Sequence, residues 1–251
     1  MTVAIPLRPA ILATRARSVQ DQVLHDLGLA ILRGDYPEDT LLPSEADLAE
    51  RFAVSRTVLR EVVKSLAAKG LLISKTKVGT RIRPQVDWNF FDAEMLAWRL
   101  ELGLDQRFLE SLYEIRLTIE PAAAALAAIK RSAADLQALQ DLIAEMQRPD
   151  HSRDSFAAVD LDLHLRIASA SGNPFMRAIG NIIEAVLITT LTETAPTEGT
   201  GRLMTAAANH AAIVEAIARR DPTAASLAMT LVIEEGRRNR MAVLPAEVAT
   251  K

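Results

Sequence analysis

The sequence predicts a mainly α-helical protein in which a small N-terminal domain, made of three helices and a β-hairpin, precedes a larger all-α antiparallel helical bundle. Three observations predict this fold class. Residues typical of helix ends recur at short intervals before residue 70, two β-prone runs flank a Gly-containing turn within 71–84, and only helical patterns follow residue 106. The 251 residues are enough for two such domains.

Three helices are predicted in the first domain. Residues 18–34 place apolar side chains on one helical face and end at Gly34, a residue typical of helix C-termini. Ser44 precedes a second, short helix and Ser55 precedes a third that stops at Gly70, and both serines can cap the free amides that begin a helix. Because a tight turn joins the second helix to the third, the pair predicts a helix-turn-helix.

A β-hairpin and a linker follow these helices. The runs LLIS and TRIR, on either side of the turn KTKVG, predict two strands that Pro84 closes. Together these elements describe a winged helix-turn-helix domain, which we place at residues 17–84, after a flexible leader at 1–16. Residues 85–105 predict a linker helix whose aromatic side chains we expect to pack between the two domains.

The rest of the chain reads as successive helices. Pro, Gly and Ser signals separate helical runs, and strand-like alternation is missing from the pattern. We place the bundle domain at 106–245 and a short tail at 246–251. The predicted helices of the bundle are 107–130, 132–147, 153–172, 174–194, 203–219 and 222–243.

Charge is segregated along the chain. Residues 51–84 contain nine Lys or Arg and one acid, a net charge of +8 in a chain whose total is −3. The preceding residues carry four basic and eight acidic side chains, and residues 85–251 carry sixteen and twenty-three. A basic segment inside an acidic chain indicates a polyanionic partner for that segment.

Cysteine usage and the N-terminal sequence limit the class of protein further. The chain has no cysteine, which excludes a disulfide framework, a thiolate metal site and a cysteine nucleophile, and which suits a reducing cytosol. The apolar pieces near the N-terminus are short and interrupted by Pro and Arg, so they fit neither a signal peptide nor a membrane span. We therefore expect a cytoplasmic protein without a membrane partner.

The third predicted helix carries the residues expected to read DNA. Arg56 and Arg60 are one turn apart on the same face, and the fork of an arginine side chain matches the two acceptors of a guanine edge. Ser55 and Thr57 lie at the N-terminus of the helix, where a phosphate can be bound. The alternative is a solvated basic face, but the helix pair, the hairpin and the one-sided charge together favour DNA binding.

The hairpin is predicted to act as a wing on the same DNA. Lys75, Lys77 and Arg81 would lie along the backbone or the minor groove, and Gly79 would allow close approach.

A second candidate site lies in the bundle. Asp160 and His164 are one turn apart on a predicted helix, a spacing that lets a carboxylate and an imidazole converge on one ion or ligand. His210 lies on a separate predicted helix. The alternative is that these are ordinary core or half-exposed residues with no shared site.

The N-terminal domain resembles that of the GntR superfamily. The resemblance rests on LPSE and on VSRTVLRE within residues 42–61, and it implies that Ser55, Arg56, Thr57 and Arg60 contact operator DNA. One departure concerns Ala46, where members of the family often have Arg, so a DNA contact from the second helix is not implied here.

The bundle resembles the FCD ligand-binding domain of the FadR branch of that superfamily. The segments DLDLHLRIASASGNP and HAAIVEAI carry this resemblance. It implies a divalent metal such as Zn, Ni or Mn, held by one Asp and three His. Asp160, His164 and His210 match three of those ligands, and Val232 stands at the fourth position and cannot ligate. The alternative is a metal-free polar pocket in which the two histidines bind the effector directly.

Arg116 matches the arginine of the family's R-x-x-x-E pattern, which implies a bidentate partner for an effector carboxylate. The alternative is a structural pair with Glu120, one turn further on. The linker WNFFDAEMLAW resembles those of regulators of sugar-acid catabolism, of the galactonate-operon type.

The resemblance implies a homodimeric repressor of a catabolic operon, released from its operator by a small carboxylate such as an aldonate. One alternative is the same fold responding to another carboxylate or to acyl-coenzyme A. A more distant alternative is a metal-dependent hydrolase built on Asp160, His164 and His210. Because no convincing pair of nucleophile and general base lies near these residues, we do not expect an enzyme.

Overall fold

The computed structural model describes residues 18–75, 77–103, 105–180 and 200–243. The chain divides into two compact units, Met1–Gly103 and Leu104–Lys251. The predicted leader at 1–16, the predicted tail at 246–251 and most of the predicted helix 174–194 lie outside the described residues. The mainly α-helical fold class, with a two-stranded hairpin in the first unit, is confirmed.

The first unit begins with three helices, α1 (Val19–Arg33), α2 (Glu45–Arg51) and α3 (Arg56–Ala68). The predicted caps are confirmed. Ser44 and Ser55 each accept a hydrogen bond from the backbone amide three residues on, which satisfies a donor that the helix itself cannot pair. Gly34 ends α1 with φ +88°, a conformation that costs glycine little.

The predicted hairpin consists of β1 (Leu72–Lys75) and β2 (Gly79–Ile82), which pair antiparallel with Leu72 opposite Ile82. The loop before α2 extends this sheet on its other side. Leu42 N–H donates to the carbonyl of Thr80 at 2.8 Å, and Ile82 N–H donates to the carbonyl of Thr40 at 3.0 Å. These bonds hold β2 from both sides and fix the base of the wing.

The core of the first unit is formed by the inner faces of α1 and α3 and by the base of the hairpin. Burial of the apolar face of α3 fixes the position of this helix and leaves its polar face exposed to solvent. Seven of the core residues have no exposed surface at all: Leu27, Leu59, Val62, Leu66, Leu71, Ile82 and Met95.

The segment predicted as a linker contributes helix α4 (Ala93–Leu102), which packs against α1. Trp88 and Trp98 are buried in the core of the first unit, which differs from the predicted packing of this segment's aromatic side chains between the domains. For Trp98 the physical reason is Gly28 on α1, where a Cβ atom would lie only 2.5 Å from the indole ring. The absence of a side chain there admits the indole.

The second unit is a helical bundle. Its helices are α5 (Gln106–Lys130), α6 (Ala133–Met146), α7 (Arg153–Ala170), α8 (described over 174–180), α9 (Thr200–Ala218) and α10 (Pro222–Val243). Helix α5 contacts α7, α9 and α10, and α6 contacts α7 and α9. Helix α9 begins three residues before the predicted 203, and α7 ends at 170 instead of 172. Within the residues described for this unit, no strand occurs.

No helix in the described part of the chain is both long enough and apolar enough to cross a membrane.

Candidate functional site

The DNA-reading candidates on α3 lie on its exposed face. Ser55 is the N-cap residue, and its Oγ accepts from the Val58 amide at 3.2 Å. Arg56 and Thr57 open the helix and are exposed. Arg60 is also exposed, and its Nε donates to Glu45 Oε2 at 3.0 Å. This pair at the surface is weak, so a phosphate or a base can compete with the carboxylate for the guanidinium.

The wing candidates are exposed as well. Lys75 ends β1 and Gly79 begins β2, so they flank the turn, and Lys77 lies within it. Lys77 and Gly79 have φ of +64° and +115°, and the glycine adopts this left-handed backbone without strain. Arg81 donates a hydrogen bond from Nη1 to the carbonyl of Asp39, which holds its side chain against the loop before α2.

The basic segment offers fewer free cations than its net charge of +8 suggests. Lys69 is buried and pairs with Asp92 at 2.8 Å and Glu94 at 2.6 Å. Arg83 pairs with Asp87 at 3.1 Å. All three acids lie beyond residue 84, outside the counted segment. These two cations therefore tie down the segment that leads to α4, and they are not free to bind DNA.

In the second unit the structure brings Asp160, His164 and His210 together. All three are buried, and their ligand atoms lie within 4.8 Å of one another. Asp160 Oδ1 is 3.2 Å from His164 Nε2 and 2.8 Å from His210 Nε2. The imidazole rings are edge to face, with centroids 5.7 Å apart. Helix α7 supplies the first two residues and α9 supplies the third.

These three atoms point at one another without a hydrogen bond. Asp160 Oδ1 and both Nε2 atoms are buried and lack a hydrogen-bond partner in the structure. The Nδ1 atom of each ring is hydrogen-bonded to an oxygen. His164 Nδ1 is 2.5 Å from Glu120 Oε2, and His210 Nδ1 is 2.7 Å from the carbonyl oxygen of Ala206. Nδ1–H therefore donates in each ring, and Nε2 faces the carboxylate. Buried acceptors that converge in this way require a positive charge among them, either a proton on an imidazole nitrogen or a metal cation.

A divalent cation fits this donor set. Two imidazole nitrogens and one carboxylate oxygen are ligands suited to Zn or Ni, and outer oxygens on Nδ1 are the usual second partners of metal-bound histidines. Val232 lies on α10, is buried in the apolar core and adds no ligand. Among the described residues, these three side chains are the complete candidate set.

Arg116 and Glu120 extend the cluster. Arg116 is buried, and its Nε donates to Glu120 Oε1 at 2.6 Å. The second oxygen of Glu120 accepts from His164, so one carboxylate joins the arginine to the histidine. The guanidinium also lies over the Tyr113 ring, 5.6 Å from its centroid. The pairing of Arg116 with Glu120, which the sequence left as an alternative, is present.

The pKa shifts follow from this chain of charges. Burial would raise the pKa of Glu120, but Arg116 and then His164 outweigh it and lower the pKa to about 2. Burial would likewise raise the pKa of Asp160, but His210 and His164 hold it well below its usual range. For His164, burial would lower the pKa, but Glu120 and Asp160 raise it to about 9. Both carboxylates are therefore ionised, and at neutral pH the His164 ring carries the positive charge between them, so a metal ion would have to displace its Nε2 proton.

A small cavity lies beside the cluster. It holds about 30 Å³, counted as space open to the centre of a water molecule. That is room for one or two waters, or for the head of a small carboxylate. Arg116, Glu120 and His164 line it, and its other walls are largely apolar side chains of α5, α7, α8 and α10: Ile115, Ile119, Leu165, Ile167, Met176, Ile179 and Met229.

Two groups at this site were not predicted in these roles. The sequence indicated Glu120 only as a partner of Arg116, and no pattern indicated its bond to His164. The Ala206 carbonyl that orients His210 is a backbone atom, which the residue type does not reveal. The one available signal was the spacing of Glu120, four residues after Arg116. It predicted a pair within α5 and gave no indication of a contact with His164 on α7.

Comparisons with known proteins agree with this geometry. Residues 19–82 match the model for "Bacterial regulatory proteins, gntR family", and residues 111–235 match that for the FCD domain. The uncharacterized HTH-type transcriptional regulator YieP of Escherichia coli K12 is 35% identical over 79% of this chain and 85% of its own length. The galactonate operon transcriptional repressor of the same strain is 31% identical over 87% of this chain and 95% of its own length.

More distant matches include the fatty acid metabolism regulator protein of Yersinia enterocolitica, 30% identical over 61% of this chain and 62% of its own length. Among solved structures, that of Lar, which controls the expression of the Listeria monocytogenes agr system, covers 92% of this chain and all of its own with a TM-score of 0.61. At 18% identity the latter supports the fold alone.

The family and these relatives are transcriptional regulators, so the metal-dependent hydrolase considered from the sequence is set aside. A winged helix-turn-helix with an exposed basic helix, followed by an all-α bundle with a buried polar cluster, agrees with both family matches. The chain belongs to the gntR family of bacterial regulatory proteins, carries an FCD domain and is a DNA-binding transcriptional regulator, not an enzyme.

Proposed function

We propose that this regulator represses a catabolic operon as a homodimer and that a small carboxylate, such as a sugar acid, releases it from operator DNA. The observation that carries the proposal is the buried guanidinium of Arg116, which lines a cavity next to the cluster of Asp160, His164 and His210. A buried arginine binds a carboxylate well because two parallel N–H donors match its two oxygens. We expect the regulator to work in the cytoplasm, where operator DNA is available.

DNA binding is assigned to α3 and the wing. Arg56 and Arg60 would reach base edges in the major groove, and Ser55 and Thr57 would bind phosphate at the helix N-terminus. Lys75, Lys77, Gly79 and Arg81 would follow the backbone beside them. Two copies of α3 in a dimer would read half-sites spaced by whole helical turns, about 10–10.5 base pairs or multiples of that.

Effector binding is assigned to Arg116, Asp160, His164 and His210. When bound, a divalent cation would supply positive charge and free coordination positions for an effector oxygen. Arg116 would orient the carboxylate, and the low dielectric of the buried site would strengthen both contacts. Release of DNA then requires that the effector bind more tightly to the chain in its DNA-free arrangement.

Two effector classes need to be separated. The likeness to a galactonate operon repressor favours an aldonate. The apolar walls of the cavity give few partners to hydroxyl groups and favour a carboxylate with a short apolar body. The cavity is too small to hold a long acyl chain in its present form, which argues against acyl-coenzyme A.

The test begins with selection of an operator from random duplexes by the full chain. Release of a labelled operator is then followed by fluorescence anisotropy with D-galactonate, other aldonates, short apolar carboxylates and acyl-coenzyme A. Each is tested with Zn²⁺, Ni²⁺ or Mn²⁺ and after chelation. We expect a small carboxylate to release the duplex. Release by acyl-coenzyme A alone would refute the proposed effector class, and failure to select any duplex would refute the assignment of α3.

Sedimentation of the free chain and of the complex tests the homodimer. We expect two chains on each duplex with two half-sites. One chain on each duplex would contradict the proposal.

A further inference from the structure

Glu120 occupies a central position among the buried charges of the second unit. Only 15% of its side chain is exposed. One oxygen accepts from Arg116 Nε at 2.6 Å, and the other accepts from His164 Nδ1 at 2.5 Å. A single carboxylate thus contacts the residue proposed for the effector anion and a residue proposed for the cation.

The contacts form one continuous chain of charges. It runs from Arg116 through Glu120 to His164, and from there to Asp160 and His210. Every member except Glu120 is less than 9% exposed. At this depth the solvent screens charges poorly, so a change at one end of the chain reaches the other.

Glu120 is not itself a candidate cation ligand. Its oxygen lies on the Nδ1 side of His164, whereas the converging donor atoms are on the Nε2 side. The group of donors within 4.8 Å of one another includes Asp160, His164 and His210 but not Glu120. Its position is that of an outer partner, which fixes the tautomer and the orientation of an imidazole and raises its basicity.

We propose that Glu120 couples the two ends of this site, since it orients His164 toward a divalent cation and shares the guanidinium of Arg116 with the effector carboxylate. This inference rests on the proposed function. When an effector carboxylate accepts hydrogen bonds from Arg116, the guanidinium neutralises the charge of Glu120 less. Glu120 then accepts more strongly from His164 Nδ1, and Nε2 becomes a better ligand. Cation and effector therefore raise each other's affinity, and by the same factor.

The first experiment uses Zn²⁺ alone, so that it does not depend on an identified effector. The full chain is stripped with chelator, and its affinity for Zn²⁺ is measured by competition with a fluorescent chelator. We expect Glu120→Gln to weaken Zn²⁺ binding by about 10- to 100-fold, as for other outer partners of metal-bound histidines. Glu114→Gln, at an exposed position on the same helix, is the matched control and should change nothing. Unchanged affinity in Glu120→Gln, or no Zn²⁺ binding by the unsubstituted chain, would overturn the proposal.

The second experiment tests whether Arg116 acts through Glu120. Arg116→Gln leaves Glu120 without its cation, so Zn²⁺ binding should tighten by about fivefold or more. In the Glu120→Gln background the same substitution should have no effect, because the link has been removed. An equal effect in both backgrounds would show that Arg116 acts independently and would overturn the coupling.

A third measurement needs no substitution and covers the case in which Arg116→Gln does not fold. Histidine ring ¹⁵N spectra of the Zn²⁺-loaded chain should show His164 protonated at Nδ1 and bound to the cation through Nε2. The opposite tautomer would overturn the proposal. All three experiments are distinguishable from the effector screen, because a failure of every carboxylate to release DNA would not alter the Zn²⁺ results.

Discussion

Arg56, proposed to read DNA, and Arg116, proposed to bind the effector carboxylate, lie in opposite environments. Arg56 is exposed at the start of α3, whereas only 3% of the Arg116 side chain on α5 is exposed. Water and salt screen Arg56, so we expect its proposed contact with DNA to form and break without disturbing the fold. Arg116 lies in a site where each charge is stabilised by its neighbours, and its removal leaves Glu120 with His164 as its remaining partner.

In the proposed function, this difference separates the reading of DNA from the sensing of an effector. On α3 the exposed side chains act one by one, and the apolar inner face alone holds the helix in place. In the second unit the polar residues form a single connected group within an apolar core. Substitutions on α3 should therefore affect DNA binding with little loss of stability, whereas those in the cluster should affect stability and ligand binding together.

The largest effect on stability is expected from Arg116→Ala. It removes the guanidinium from the buried carboxylate of Glu120 and leaves His164 as its remaining partner, and we expect the free energy of unfolding to fall by about 3–5 kcal/mol. Urea unfolding followed by circular dichroism measures this loss. Arg107→Ala, at an exposed position on α5, should stay within about 0.5 kcal/mol of the unsubstituted chain. Equal losses in the two variants would mean that the buried pair of Arg116 and Glu120 contributes no more to stability than an exposed arginine.

The next largest effect is expected on cation binding. Asp160→Asn removes the carboxylate on which both Nε2 atoms converge, so Zn²⁺ affinity should fall by roughly 100-fold or more, beyond the usual effect of an outer partner. Added Zn²⁺ should then no longer raise the melting temperature, because stabilisation by mass action requires binding. Asp162→Asn is the control, since Asp162 points to the other side of α7. Full Zn²⁺ binding by Asp160→Asn would mean that the three-residue cluster is not the site.

A smaller effect, confined to DNA, is expected from Arg56→Ala. Loss of a bidentate contact with a guanine edge should cost about 1–3 kcal/mol of discrimination between the selected operator and a scrambled duplex. The free energy of unfolding should hardly change, because Arg56 is exposed. Anisotropy titrations with both duplexes measure the ratio, and an unchanged ratio would remove Arg56 from the reading face.

The smallest effect is expected from Lys77→Ala in the wing. A phosphate contact carries no sequence information, so affinity should fall by a similar factor on every duplex. The slope of log K against log salt concentration should become shallower by about 0.9 for one lost phosphate contact. If the slope stays the same, Lys77 does not contact the backbone.

Most of the first unit could be predicted from the sequence. Ser44 and Ser55 cap α2 and α3 through bonds that span only three residues, and short-range features of this kind can be recognised along the chain. The wing was predictable for the same reason, because its turn and both strands lie within eleven consecutive residues, 72–82. The bundle helices were predictable as elements, since their ends coincide with Pro, Gly and Ser signals.

The sequence could not show which charges are available. Lys69 and Arg56 count equally in the net charge, but Lys69 is buried against Asp92 and Glu94, both more than twenty residues away. Trp98 similarly depends on Gly28, seventy positions earlier. Such pairs follow from packing between elements, and no local pattern reports them.

By itself, the sequence determined the helices, the wing, the segregation of basic charge and three side chains suited to one cation. Helical periodicity and capping are local, and Asp160 and His164 share a face of α7 because they are one turn apart. Only the tertiary structure decided that His210 of α9 faces them and that Glu120 joins His164 to Arg116. The reason is that the packing of α5 and α9 against their neighbours sets where these side chains meet, and that packing is the sum of many apolar contacts spread over the whole bundle.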